Sequence, residues 1–138
     1  MKLRPILSAL ALAATMAVAP TQAAAPAPIE GKWRKGNMEV EIRPCGAQTW
    51  CGTVTDASDS QRAKAKKGSG VELLGLKMIR DLKPDDQPGR YKGRVFVADK
   101  DMTVKGTVTV VNANKISVRG CALAGIVCRE REWVRTGR

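Results

Sequence analysis

Twice in this chain a short connection between two β-rich runs carries a cysteine at each lip, and no other feature limits the fold so tightly. The later instance joins Ile116-Ser117-Val118-Arg119-Gly120-Cys121 to Val127-Cys128-Arg129-Glu130-Arg131-Glu132-Trp133-Val134-Arg135. The earlier one joins Ile42-Arg43-Pro44-Cys45 to Trp50-Cys51-Gly52-Thr53-Val54. Each reads as a β-hairpin with a covalent clasp across its neck. Four cysteines permit three pairings, and proximity across each hairpin favours Cys45–Cys51 and Cys121–Cys128. In the chain-entropy account, loops this short contribute roughly 2–2.5 kcal/mol apiece. A four-cysteine zinc site is disfavoured, because its ligand pairs lie closer together than these do.

Persistent disulfides require an oxidising compartment, and the N-terminus supplies a route to one. Lys2 and Arg4 precede an apolar run from Ile6 to Ala19, then small residues through Ala23. This is the pattern of a secretory signal peptide over residues 1–23, cut after Ala23 with Ala25 as the second choice. The run is too short to remain as a membrane span. Cleavage leaves 115 of the 138 residues, one domain's worth, and lowers the net charge from +11 to +9. A periplasmic location follows as the expectation. There a basic protein meets lipid head groups and acidic ligands, whereas nucleic acid is not an expected partner.

Along the exported part, residues 24–30 read as a disordered Ala/Pro spacer, and residues 31–138 as a single domain. Gly31–Lys35 is a short strand, Gly36-Asn37 a turn, and Met38-Glu39-Val40-Glu41-Ile42 alternates strictly between dry and wet faces. After the first clasped hairpin comes a lysine-rich stretch with Arg62, Lys64, Lys66 and Lys67, read as an exposed loop with one helical turn over 61–67. Val71–Leu82 fits both periods and is read as a strand, because Gly75 is costly inside a helix. Strands follow at Arg90–Val97, Met102–Val111 and Lys115–Gly120, separated by turns at 98–101 and 112–114. With no convincing helix and about eight sequential antiparallel strands, the class is all-β. An up-and-down barrel is the simplest closure, since it leaves no unpaired edges. A monomer is expected.

No histidine occurs in the sequence, which removes the serine–histidine and cysteine–histidine nucleophile systems and the commonest metal ligand. Glu39/Glu41 and Glu130/Glu132 are carboxylate pairs at strand spacing, a formal requirement for a glycosidase, but their alternation points them to solvent. No catalytic residue, metal site or cofactor is expected. One arrangement with chemistry remains. Arg129, Arg131, Trp133 and Arg135 share a side of the last strand, and barrel closure makes that strand a neighbour of the first, which carries Trp33. Arg135 stacked on Trp33 would seal one end through a cation–π contact of up to about 2 kcal/mol.

The succession Gly31-Lys32-Trp33, Ile42-Arg43-Pro44-Cys45, Cys51-Gly52-Thr53-Val54, Leu74-Gly75-Leu76-Lys77, Val118-Arg119-Gly120-Cys121 and Cys128-Arg129…Trp133-Val134-Arg135 resembles domain-of-unknown-function family 2147, secreted bacterial proteins with a lipocalin-like (calycin) fold. The resemblance spans nearly the whole exported chain. It implies a small barrel with two local disulfides, and supplies no activity. Where that family carries tyrosines, this chain has Phe96-Val97-Ala98 and Met102-Thr103-Val104, so aliphatic walls are expected. The functional expectation is a non-enzymatic binding protein for a small hydrophobic or amphipathic molecule such as an acyl chain. Leu74, Leu76, Met78, Val95, Val104, Val108 and Ile116 would line its site, and Arg129 or Arg131 would meet an acidic head. The alternative is an envelope-interaction module that uses Arg62, Lys64, Lys66 and Lys67 against anionic lipid, lipopolysaccharide or a protein.

Overall fold

The computed structural model describes residues 16–20 and 27–138. The expected leader and its cut lie, apart from residues 16–20, outside the described residues. Eight antiparallel strands close a barrel in sequence order: β1 (Gly31–Lys35), β2 (Met38–Gly46), β3 (Thr49–Ala57), β4 (Lys77–Pro84), β5 (Arg90–Val97), β6 (Met102–Asn112), β7 (Lys115–Ala122) and β8 (Val127–Gly137). One helix, α1 (Asp59–Ser69), lies between β3 and β4. This is the all-β up-and-down barrel that the alternation pattern predicts, consistent with the lipocalin-like form that the resemblance implies. Both expected disulfides are present, Cys45–Cys51 and Cys121–Cys128.

The up-and-down order sorts the connections between two ends. The base gathers residues 27–30, the β2–β3, β4–β5 and β6–β7 turns and the end of β8. The mouth gathers the β1–β2 turn, α1, the β5–β6 turn and the clasped β7–β8 connection. The lower half is solid. Trp33, Val40, Ile42, Val54, Ile79, Leu82, Val108 and Ile116 interlock there as one buried cluster, and it is this apolar burial that holds the barrel shut.

Three local expectations change. The lysine-rich stretch is a full helix of 11 residues rather than a loop with one turn. Ser58 and Gln61 form a reciprocal capping box at its start, and Gly70 ends it in the left-handed conformation at φ 74°. Val71–Leu82 is not one strand. A turn with Gly75 at φ 79° brings the chain to Lys77, where β4 begins. Within β4, Asp81 adopts φ 54° and the register slips between Arg80 and Lys83, so that Ile79 and Leu82 both face inward although three residues apart. Finally, residues 27–30 are not a free spacer. Ile29 is fully buried in the base.

Candidate functional site

At the base the guanidinium of Arg135 lies 4.1 Å from the centre of the Trp33 ring, and the two residues are register partners across β1 and β8. Arg135 also donates to the carbonyls of Pro28 (2.8 Å), Glu30 (2.7 Å) and Ala113 (2.7 Å). The Trp33 indole N–H donates to Ile29 O at 2.9 Å. Burial lowers the Arg135 pKa from its ordinary value, although a guanidinium remains charged throughout the working range. Every donor of the joint points at a carbonyl of the 27–30 segment or of the β6–β7 turn. The base is therefore a plug, and Gly31 is part of it: a Cβ there would collide with the Arg135 guanidinium and Gly137 O. Beside it Trp50 donates to Glu30 at 2.9 Å and meets Tyr91 edge to face at 5.4 Å.

The mouth half is hollow. A cavity of about 310 Å³ is lined by Val95, Val97, Met102, Val104, Val118 and Val127 together with Gly120 and Ala122, with Lys100 and Arg129 as its two cations. A second space of about 360 Å³ adjoins it through Val95 and Val97 and runs under α1 past Met38, Ala65, Leu73, Met78 and Trp133. The hollow has a visible origin in sequence. Gly93, Gly106, Gly120 and Arg129 are successive register partners across β5 to β8; Gly93 admits the Arg80–Asp81 backbone and Gly106 the Val95 side chain, whereas Gly120 lines the cavity. Val104 leans toward this gap, within 3.2 Å of where a Gly120 Cβ would stand. α1 closes over the hollow because Gly68 admits the backbone of Asp99 from the β5–β6 turn, which any side chain would block.

Of the expected lining residues, Val95, Val104 and Arg129 come together in the first cavity, and Met78 borders the second. Val108 and Ile116, 0% and 1% exposed, belong instead to the packed lower core. Val108 pairs with Val118 one step below the Gly106–Gly120 pair, and Ile116 pairs with Val110 a further step below. Leu74 is a correction: it lies in the turn before β4 and is 38% exposed, outside the barrel. Leu76 stands at the end of that turn, packed on the outside of the core cluster, with its carbonyl accepting from Val54 N–H at 2.9 Å. Arg131 is exposed and donates to the neighbouring Glu130 carbonyl at 3.0 Å. Sequence reading missed Val97, Lys100, Met102, Val118, Gly120, Ala122 and Val127. Extending the parity of Val104 across the hairpin registers would have found most of them.

The carboxylate pairs do not converge on the cavity. Glu39 accepts from Thr136, Thr55 and Arg34, and these bonds hold its pKa below the usual carboxylate range. Glu41 pairs with Arg43 at 2.9 Å, and Glu132 with Lys115 at 3.2 Å. Glu130 accepts from the Ser117 hydroxyl. On α1, Arg62 is engaged by Glu72 at 3.0 Å, an ion pair that raises the one pKa and lowers the other. Lys64, Lys66 and Lys67 form no ion pair among the described residues.

No curated protein and no solved structure matches the chain. Residues 31–135, almost the whole of the barrel, match the family described as "Uncharacterized protein conserved in bacteria (DUF2147)". Two disulfides in a bacterial family are compatible with an exported protein. A closed eight-strand barrel with both clasps, matched from its first strand to the arginine that seals it, makes this chain a member of that family of uncharacterized bacterial proteins.

Proposed function

We propose that this protein is a non-enzymatic periplasmic carrier or sensor of a small amphipathic molecule, an acyl-type chain ending in an acidic head. The observation that carries the reading is the hollow upper half of an otherwise tightly packed barrel. Its walls are aliphatic and its two lining cations, Lys100 and Arg129, stand where an acidic head could be met. A volume of about 310 Å³, extended by the adjoining space under α1, falls in the range of small-ligand sites. In so apolar a setting a charge-assisted bond to Arg129 would fix the ligand's direction.

Binding of a fluorescent fatty-acid probe, with native mass spectrometry of protein recovered from a bacterial envelope, tests the reading. A retained low-mass ligand, and a probe bound more weakly by R129Q, are the expected results. A bare polypeptide mass together with no probe uptake would sink it.

A second reading is favoured by the free charges of α1. Lys64, Lys66 and Lys67 are solvent-facing and without carboxylate partners among the described residues, so the helix could rest on an anionic envelope surface. Vesicle binding that disappears with added salt supports this reading, and binding unaffected by charge reversal at the three lysines removes it.

A further inference from the structure

The connection between β7 and β8 breaks the pattern of every other turn. Leu123, Ile126 and Val127 are 71%, 83% and 44% exposed, three large apolar side chains within five residues. Single exposed leucines are ordinary, but a cluster at a protruding tip is not. The backbone is also unusual. Leu123 and Ala124 hold left-handed φ values of 50° and 55°, followed by Gly125 at 88°, a conformation that Leu and Ala adopt at a cost. The Cys121–Cys128 disulfide locks the tip in that form.

The tip also overhangs the barrel. β8 pairs with β1 only from Val134 to Gly137, whereas it pairs with β7 from Val127 to Val134. Among the described residues, Val127–Trp133 are therefore supported from one side alone. Lys100, Lys105, Arg129 and Arg131 surround this overhang and form no ion pairs among the described residues. Val127 is common to the tip and to the cavity wall.

We infer that the clasped β7–β8 tip is a bilayer contact: Leu123, Ile126 and Val127 enter the interfacial layer of an anionic phospholipid membrane while the four cations meet its head groups. A rigid apolar prow with a cationic collar has the chemistry of an interfacial anchor, and it would set the cavity mouth against the source of an acyl ligand. The inference shares the anionic envelope surface with the second reading above but gives the contact to the tip in place of α1, and it does not depend on the cavity being occupied.

Sedimentation with phosphatidylglycerol-containing vesicles tests it, using oxidised protein whose N-terminus is established by intact mass. L123S/I126S should lower partitioning at least about tenfold, and V134S, an exposed valine near the base, should leave it unchanged. In I126W, the added indole should shift to the blue and be quenched by brominated acyl chains. Partitioning of L123S/I126S equal to the parent, or an I126W indole that lipids do not quench, overturns the inference. K64E/K66E/K67E separates the two elements: loss of binding in that variant with L123S/I126S silent gives the membrane to α1 and not to the tip. Dimers that form without vesicles and vanish in L123S/I126S would give the tip to a second copy of the chain instead, and also overturn it. Probe uptake in vesicle-free solution reads the cavity separately and should be unaffected by L123S/I126S.

Discussion

The base and the mouth of this barrel are made from the same alternating strands, yet one is over-determined and the other under-filled. At the base a single guanidinium meets one indole and three carbonyls, so each side chain has a fixed place. At the mouth Gly120, Ala122 and a run of valines leave space, and the cations nearby have no acidic partners among the described residues. Stability is therefore expected to reside at the base and the proposed binding at the mouth, and substitutions at the two ends should fall into two classes.

The largest effect belongs to W33A, which empties a fully buried indole site and should cost about 3–5 kcal/mol, read as a fall in denaturation midpoint. R135A should follow at roughly 2–3 kcal/mol, because it strips donors from Pro28, Glu30 and Ala113. R135K should not restore it, since an ammonium cannot reach three carbonyls while lying flat on a ring. A mild effect for either would break the claim that the base carries the fold. Removing a disulfide sharpens the contrast. C45S/C51S and C121S/C128S close loops of nearly equal length and should each cost roughly 2 kcal/mol, but only the second pair should also weaken vesicle binding. At the mouth G120L should fill the hollow and abolish probe uptake while the base joint keeps its tryptophan signal. Equal uptake by G120L would move the ligand elsewhere.

The smallest effect concerns acid. Asp85, in the β4–β5 turn at the base, takes the Asp86 N–H and also pairs with Lys92 and Arg90, which brings its pKa down from 3.8 to about 2. Glu39 and Asp56, held by Thr136, Thr55 and Arg34 toward the mouth, are likewise lowered. A carboxyl that is more acidic when folded stabilises the fold above its unfolded pKa and loses that contribution as pH falls through the folded value. Melting temperature should thus decline from about pH 4 toward pH 2, with a shallower decline in D85N. An identical acid profile in D85N would show that the turn contributes nothing.

How much of this was legible beforehand differs between the same two ends. The joint could be read because each element has a one-letter signature: Trp33 on the first strand, Arg135 at matching parity on the last, and closure to bring them together. The clasps could be read because hairpin necks fix cysteine distance. α1 was written in plain sight as Ser58 and Gln61 three residues apart, with Gly70 after the lysines. The sequence reads as only one turn of it, over 61–67, because Ala65 alone of the helix is buried and no apolar stripe announces the rest. The β4 face was misjudged for a different reason. Asp81 in a left-handed conformation inserts one residue into the count, and parity arithmetic has no symbol for that. Whether the barrel would be full or hollow rested on small residues, Gly120 and Ala122, facing the valines of β5 and β6, a fact of register that separate strands conceal.

The plug at the base has a kinetic corollary. The guanidinium of Arg135 meets carbonyls 105 and 107 positions earlier in the chain, so this joint cannot form until β8 has been synthesised. Neighbouring hairpins can zip up as they emerge, but ring closure must wait, and topologies dominated by such distant partners assemble slowly. A nascent molecule halted before β8 would be an open, sticky ribbon, so the barrel's closure hangs on a residue of its last strand, Arg135.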